Sequence, residues 1–244
     1  MNKRVVSAVL AMVLALFALS AYADFADGQI VLVNEQADFS EDSAMFAGDP
    51  EKLVYPCVWT EGLNGEGVDF AGLKTHLRFD GALITGAKAL TLSVWINWRG
   101  PGLRDAESLN ETGGGVLIFG LSGASGHLKV VALDNEKGDV VTFAGGKYNE
   151  DVYVLTDKAL PVGEWTMVTA VIDGERMIVY INGEEAASAP QAVTPDMLYI
   201  DLFRIGSSFW GPPSLNAVVD DAYAWARALD AEEIAALYAA TKAD

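Results

Sequence analysis

Glu164-Trp-Thr-Met-Val-Thr-Ala-Val-Ile-Asp173-Gly174-Glu-Arg176-Met-Ile-Val-Tyr-Ile-Asn182-Gly183 is the stretch that decides the fold. Two apolar runs, Trp165–Ile172 and Met177–Ile181, each end at a turn pair, Asp173-Gly174 or Asn182-Gly183. Asp-Gly and Asn-Gly tolerate the positive φ of a tight reversal, so these runs read as antiparallel strands joined by hairpins. Both runs are apolar at successive positions, as in central strands covered on both faces.

The same grammar extends outward. Leu90-Thr-Leu-Ser-Val-Trp-Ile-Asn-Trp98 alternates. Leu90, Leu92, Val94, Ile96 and Trp98 share one face, and Thr91, Ser93, Trp95 and Asn97 share the other. Further strands are expected at 115–119, 128–133, 140–144, 151–156 and 203–206, separated by Gly, Asp and Asn. Short apolar runs with turn signals mark an all-β chain rather than alternating strand and helix. One helix is expected near the C-terminus. Asp230 is its N-cap, Glu233 completes a capping box, and Ile234, Leu237 and Tyr238 form its apolar stripe.

Several segments, in their order, resemble the laminin G-like, concanavalin A-like jelly-roll family. They are Trp165, Gly174, Tyr180-Ile-Asn182-Gly183, Ile205-Gly206, Asp220 and Arg227-Ala-Leu229, preceded by Leu77-Arg-Phe79-Asp80-Gly81 and Leu92-Ser-Val-Trp95-Ile96. The resemblance spans residues 62–240. It implies an all-β fold: an antiparallel two-sheet jelly-roll sandwich of roughly a dozen strands with a short C-terminal helix. It also implies a structural calcium on Asp220, with backbone oxygens from the turn containing Gly62 and Gly65; the alternative is that Asp220 caps a turn through hydrogen bonds. The family's N-terminal Asp-x-Ser-Gly segment has no clean counterpart; Asp38-Phe-Ser-Glu-Asp42-Ser is the nearest.

Residues 1–23 read as a signal peptide. Lys3-Arg4 precedes an apolar run from Val5 to Ser20, and Ala21-Tyr22-Ala23 presents small residues at a cleavage site. The expected location is therefore extracellular or periplasmic, with residues 24–244 forming a single sandwich domain. Removing Lys3 and Arg4 takes the formal net charge from −18 to −20. Such a surface disfavours nucleic acid and anionic lipid as partners. Cys57 is the one cysteine and cannot close an internal disulfide. Its setting, Tyr55-Pro-Cys-Val-Trp59, suggests a buried thiol.

Catalytic patterns are missing. Retaining glycoside hydrolysis needs two carboxylates about 5 Å apart, which on a strand means i and i+2 or i+4 on one face. No apolar strand carries that spacing. Glu150-Asp151 and Glu184-Glu185 lie at turns, and Asp220-Asp221, being adjacent, are expected on opposite faces. His76 and His127 have no Gly-x-Ser-x-Gly elbow nearby, and one cysteine with two histidines cannot make a zinc set.

Sugar binding calls for exposed aromatics beside polar groups. Candidates are Trp210 in Ser207-Ser-Phe-Trp-Gly-Pro-Pro213, Tyr148 in Gly146-Lys-Tyr-Asn149, and Trp98. Trp59, Trp165 and Trp225 read as core, and Trp95 lies between these two classes. The long polar connection from Arg99 to Gly115 is either a further place for binding function or a place where neutral insertions accumulate. The leading expectation is a secreted, non-catalytic glycan-binding module. The alternatives are a structural or adhesive protein that binds other extracellular proteins, and a glycan-cleaving enzyme.

Overall fold

The computed structural model describes residues 26–33, 57–71, 75–101, 116–134, 137–138, 140–147, 150–190, 193–206 and 215–242. The strands are β1 (Ile30–Val33), β2 (Val58–Glu61), β3 (Glu66–Ala71), β4 (Leu77–Asp80), β5 (Leu90–Trp98), β6 (Val116–Gly123), β7 (Gly126–Leu133), β8 (Thr142–Lys147), β9 (Val152–Leu155), β10 (Trp165–Ile172), β11 (Met177–Ile181), β12 (Glu184–Ala189), β13 (Ile200–Ile205) and β14 (Asn216–Trp225). A one-turn helix α1 (Pro195–Leu198) precedes β13, and α2 (Ala231–Thr241) follows β14.

These strands form two antiparallel sheets. Sheet A runs β12-β11-β10-β5-β14-β3-β2, with β1 added on β14; sheet B runs β4-β13-β6-β7-β8-β9. The two quoted turns are hairpins. Asn182 (φ 52) and Gly183 (φ 84) link β11 to β12, and Gly174 (φ 98) helps link β10 to β11. Asp173 fastens the second turn by accepting from the Glu175 and Arg176 amides at 2.9 and 2.7 Å.

The core lies between the sheets. Leu92, Val94, Ile96 and Trp98 of β5 and Val168 and Ala170 of β10 belong to one cluster with Phe79, Phe119, Phe143 and Phe203 of sheet B. Trp98, expected as a ligand aromatic, is only 4% exposed and belongs to this core. Its own alternation explains the burial, since it shares a face with Leu92, Val94 and Ile96.

The outer face of sheet A is covered from within the chain. Trp95, Tyr180, Tyr223 and Trp225 pack with Ile234 and Leu237 of α2. Each such aliphatic side chain contributes about 1.5–3 kcal/mol on burial. Asp230 caps α2 through the Glu232 and Glu233 amides, and the Glu233 side chain returns to the Asp230 amide, completing the capping box. Trp95 stacks on Tyr238 with ring centres 5.5 Å apart and donates its indole N–H to Thr241 Oγ1 at 2.8 Å. The semi-polar face of β5 is thus buried because α2 lies over it.

Candidate functional site

Two parts of the fold collect polar side chains: the β14 bulge and the outer face of sheet B. At the bulge, Asp220 pairs with Trp95 of β5 while Tyr223 pairs with Ser93, so β14 carries one extra residue. Asp221 takes φ 44 to absorb it. An extra residue shifts the side-chain alternation by one. Adjacent carboxylates that would point apart on a regular strand therefore both reach the β2–β3 turn. Asp220 Oδ2 accepts from the Leu63 and Asn64 amides at 2.8 and 2.9 Å, and Oδ1 from the Asp221 amide at 2.7 Å. Asp221 Oδ2 accepts from Asn64 Nδ2 at 2.7 Å and Oδ1 from the Tyr223 hydroxyl at 2.5 Å. Asn64 Nδ2 also donates to the Thr241 carbonyl at the end of α2.

Gly62 makes this approach possible, because a Cβ there would lie 2.5 Å from Asp220 Oδ2 and 2.7 Å from the Gly67 nitrogen. Burial raises the Asp220 carboxyl above the ordinary aspartate range, and the Asp221 charge adds to the rise, against the three amide bonds. The pairing of Asp220 with the Gly62–Gly65 turn matches the expected location of a calcium site, but the donor set does not fit one. Three N–H groups turn their positive ends toward this carboxylate, whereas calcium calls for six to eight oxygens. Among the described residues, no group of three or more His, Cys, Asp or Glu side chains converges as metal ligands.

The outer face of sheet B is built differently. Phe79, Phe203, Leu121, Leu128, Phe143 and Val154 point into the core. Their strand neighbours therefore point outward. Ser122 of β6 lies opposite His127 of β7, and His127 opposite Gly146 of β8. Beside β9, Asp151 Oδ2 lies 3.2 Å from His127 Nε2 and accepts from the Tyr153 hydroxyl at 3.3 Å. Burial holds His127 below the usual histidine range, and Lys129 pushes it further down while Asp151 opposes. A neutral ring facing a carboxylate donates through Nε2–H. Gly120, Ala144 and Gly146 are the small residues of this face, and all three are buried, with the Glu150–Asp151 backbone lying over Gly146.

At the end of this sheet stands Tyr199. It follows α1 with φ 51 and ψ 55, a left-handed conformation that is unusual for an aromatic residue. A Cβ at Gly123 would run into the Tyr199 carbonyl, so the β6–β7 turn presses against this backbone. The tyrosine is 67% exposed and is the only exposed aromatic among the described residues. Met197 and Leu83 are also exposed, on the adjoining α1 and the turn after β4. Nothing in the sequence around Tyr199 distinguished it; the left-handed cap after a Pro-initiated helical turn is visible only in the structure.

Of the other aromatics expected to bind sugar, Trp210 and Tyr148 lie outside the described residues, as does most of the 99–115 connection. Trp225 is fully buried, while Trp59 and Trp165 are half-buried against the two clusters. A separate cleft of about 350 Å³ opens between the edge of sheet B and β11–β12. It is lined by Val141, Leu160, Pro161 and Ile181 with Asp157 and Lys158, and it contains no aromatic residue.

A sequence profile for Laminin_G_3, described as the concanavalin A-like lectin/glucanases superfamily, matches residues 71–235. The chain belongs to this family. No curated protein matches it in sequence. Among solved structures, this laminin G-like domain is similar to domain 4 of AbnA, a GH43 extracellular arabinanase from Geobacillus stearothermophilus, in complex with arabinotriose. That likeness has 16% identity and a TM-score of 0.61, and covers 86% of this chain and 87% of that one. It is also similar to the ligand-binding domain of botulinum neurotoxin serotype D in complex with N-acetylneuraminic acid, at 15% identity and TM-score 0.59. There the likeness covers 90% of this chain but 52% of the toxin domain, so the chain spans about half of that domain. At these identities the likenesses establish the fold.

Proposed function

We propose that this protein is an exported, non-catalytic glycan-binding module that reads its ligand on the outer face of sheet B. The observation that carries the reading is Tyr199, an exposed ring at the end of sheet B beside the β6–β7 turn. A sugar can stack on such a ring while a neighbouring half-exposed side chain such as Ser122 supplies hydrogen bonds. Similar folds in complex with arabinotriose and with N-acetylneuraminic acid support the assignment of ligand class. The adjacent carboxylates Asp220 and Asp221 are buried and spent on the β2–β3 turn, which supports a non-catalytic role. Export rests on residues 1–23, which lie outside the described residues; N-terminal sequencing of extracellular material should begin at Asp24.

The adhesive alternative rests on the exposed set Leu83, Met197 and Tyr199. A glycan array separates the two readings. Wild type should bind a defined subset, and Tyr199→Gly should weaken binding tenfold or more. A stacked aromatic contributes about 1–3 kcal/mol. Glycine also relieves the left-handed backbone, so the variant should melt no lower than wild type. Unchanged binding in Tyr199→Gly would remove Tyr199 from the site, and an array without signal would favour the adhesive reading.

A further inference from the structure

The pair Asn64-Gly65 lies in the β2–β3 turn, where three elements meet. Asn64 Nδ2 donates to Asp221 Oδ2 at 2.7 Å and to the carbonyl of Thr241, the last residue of α2. The Asn64 backbone amide donates to Asp220 at 2.9 Å. One side-chain amide therefore joins the turn, the β14 bulge and the end of α2. Trp95 holds the same helix end through Thr241 Oγ1. What this latch closes is apolar, since Trp95, Tyr180, Tyr223 and Trp225 pack with α2.

Asparagine followed by glycine is also the pair in which backbone attack on the side-chain amide is least hindered, because glycine has no Cβ. The Gly65 nitrogen adds to Asn64 Cγ, its proton passes through water to the amide nitrogen, and ammonia leaves. Water then opens the five-membered imide. Cleavage of the new Cγ–N bond gives aspartate, and cleavage at the Asn64 backbone carbonyl gives isoaspartate. One water enters and one ammonia departs, with no change of oxidation state. Gly65 is exposed and Asn64 half-buried, so water reaches the site. The second such pair, Asn182-Gly183, is held inside sheet A: Asn182 Oδ1 accepts from the Met167 amide at 2.8 Å, and a Cβ at Gly183 would lie 3.0 Å from Tyr238. At Asn64 the reaction moves Nδ2 out of the amide plane and expels it, so its bonds to Asp221 and Thr241 must break first. The product cannot remake them. A carboxylate at position 64 would face the Asp221 carboxylate and the Thr241 carbonyl with no proton to offer. Burial and the Asp221 charge already raise the Asp220 carboxyl, so a third carboxylate adds a like charge where water is scarce.

We propose that Asn64 is a site of hydrolytic deamidation gated by α2, and that its conversion releases the helix end irreversibly and uncovers the apolar outer face of sheet A. The closed latch protects its own amide, and an opening that lasts long enough for the reaction removes the donor on which closing depends. The site lies on sheet A and is independent of the glycan-binding reading of sheet B.

Two measurements on the full chain test it. In the first, peptide mass spectrometry follows conversion in mildly alkaline buffer, with Asn182 as the internal comparison. Asn64 should convert about tenfold or more slowly in the folded protein than in urea, because the reaction waits for a local opening. It should convert about threefold or more faster in Thr241→Val, which removes the hydroxyl that Trp95 holds. Conversion of Asn182 ahead of Asn64 in the folded protein would overturn the site. Equal Asn64 rates in folded protein and in urea, or in wild type and Thr241→Val, would overturn the gate. In the second, the product is made directly and hydrogen exchange is read along the chain. Asn64→Asp should raise exchange of the Tyr238 to Lys242 amides by about tenfold and bind an apolar dye, while β7 and β8 keep wild-type protection. Asn64→Ala removes the donor without adding a charge, and should raise exchange by less. Exchange at the α2 end in Asn64→Asp equal to that of wild type or of Asn64→Ala would overturn the switch. Loss of protection in β7 and β8 as well would mean loss of the fold rather than release of a latch, and would also overturn it.

Discussion

Replacing Asp220 with alanine tests whether amide donors or a cation balance the buried carboxylate. The side chain accepts from three amides, those of Leu63, Asn64 and Asp221. A donor left without a partner costs about 1–3 kcal/mol, depending on how well water can replace the lost acceptor. The Leu63 and Asn64 amides sit in a part-buried turn and count at about 1 kcal/mol each, while the buried Asp221 amide counts at about 2 kcal/mol. Against that total of about 4 kcal/mol, the variant no longer buries a carboxyl whose ionisation burial disfavours, a relief of about 1–2 kcal/mol. The net loss is about 2–3 kcal/mol, which for a domain of this size lowers Tm by about 5–10 °C. Urea denaturation should show this loss equally in a chelator and in millimolar calcium, and wild type should melt alike in both. The reasoning fails if Asp220→Ala unfolds within about 0.5 kcal/mol of wild type. It fails equally if calcium stabilises wild type by several degrees and the variant not at all, because a cation would then be the missing partner.

Gly62→Ala should destabilise by about 2 kcal/mol or more, since its Cβ would meet both Asp220 Oδ2 and the Gly67 backbone; chemical denaturation measures this. His127 sits below its ordinary range, so the stability it contributes is present above about pH 6.5 and lost as pH falls toward its folded value. The urea midpoint should therefore fall between pH 7 and pH 5.5 by less in His127→Gln than in wild type. Asp220 is raised, so its contribution is present below the ordinary aspartate value and lost as pH rises through the folded value. The penalty of Asp220→Asn should accordingly be smaller at pH 7 than at pH 4. The Cys57 thiol is pushed up to about 12 by burial, with Asp69 adding to it. It should resist a thiol reagent at pH 8 in the native protein and react fully in urea.

The fold was readable because its decisive signals are local. Asn182-Gly183 and Asp173-Gly174 state their turns in two residues each, and Asp230 with Glu233 states the start of α2 in four. β12 was not readable: Glu184-Glu185-Ala-Ala-Ser-Ala189 has neither alternation nor β-branched residues, and it becomes a strand because β11 beside it offers an edge. The bulge was invisible for a related reason. Val218-Val-Asp-Asp-Ala-Tyr-Ala-Trp225 reads as one regular strand, and only its pairing with β5 reveals the extra residue that turns Asp220 and Asp221 to the same turn. Trp98 shows the reverse error, where a local pattern that gave the right face was set aside for a residue-type argument. Sheet B's outer face was least legible of all, since His127 and Asp151 are 24 residues apart and meet only through strand pairing.

The two sheets share the same two-residue period, yet their outer faces end differently, and the residue types facing outward explain why. On sheet A the outward positions include Trp95, Met167, Ile178, Tyr180, Tyr223 and Trp225, a surface too apolar to leave in water. The chain covers it with α2, whose end is tied down by Trp95 to Thr241 and by Asn64 to the Thr241 carbonyl. On sheet B the outward positions include Gly120, Ala144 and Gly146 between Arg204, Lys129, His127 and Tyr153. Small residues there offer little apolar area, and the charged ones would lose water under an apolar cover with no gain in return. The distribution of side-chain size and charge therefore ties sheet A's outer face to the stability of the fold, whereas sheet B's carries the polar set on which the proposed glycan site rests.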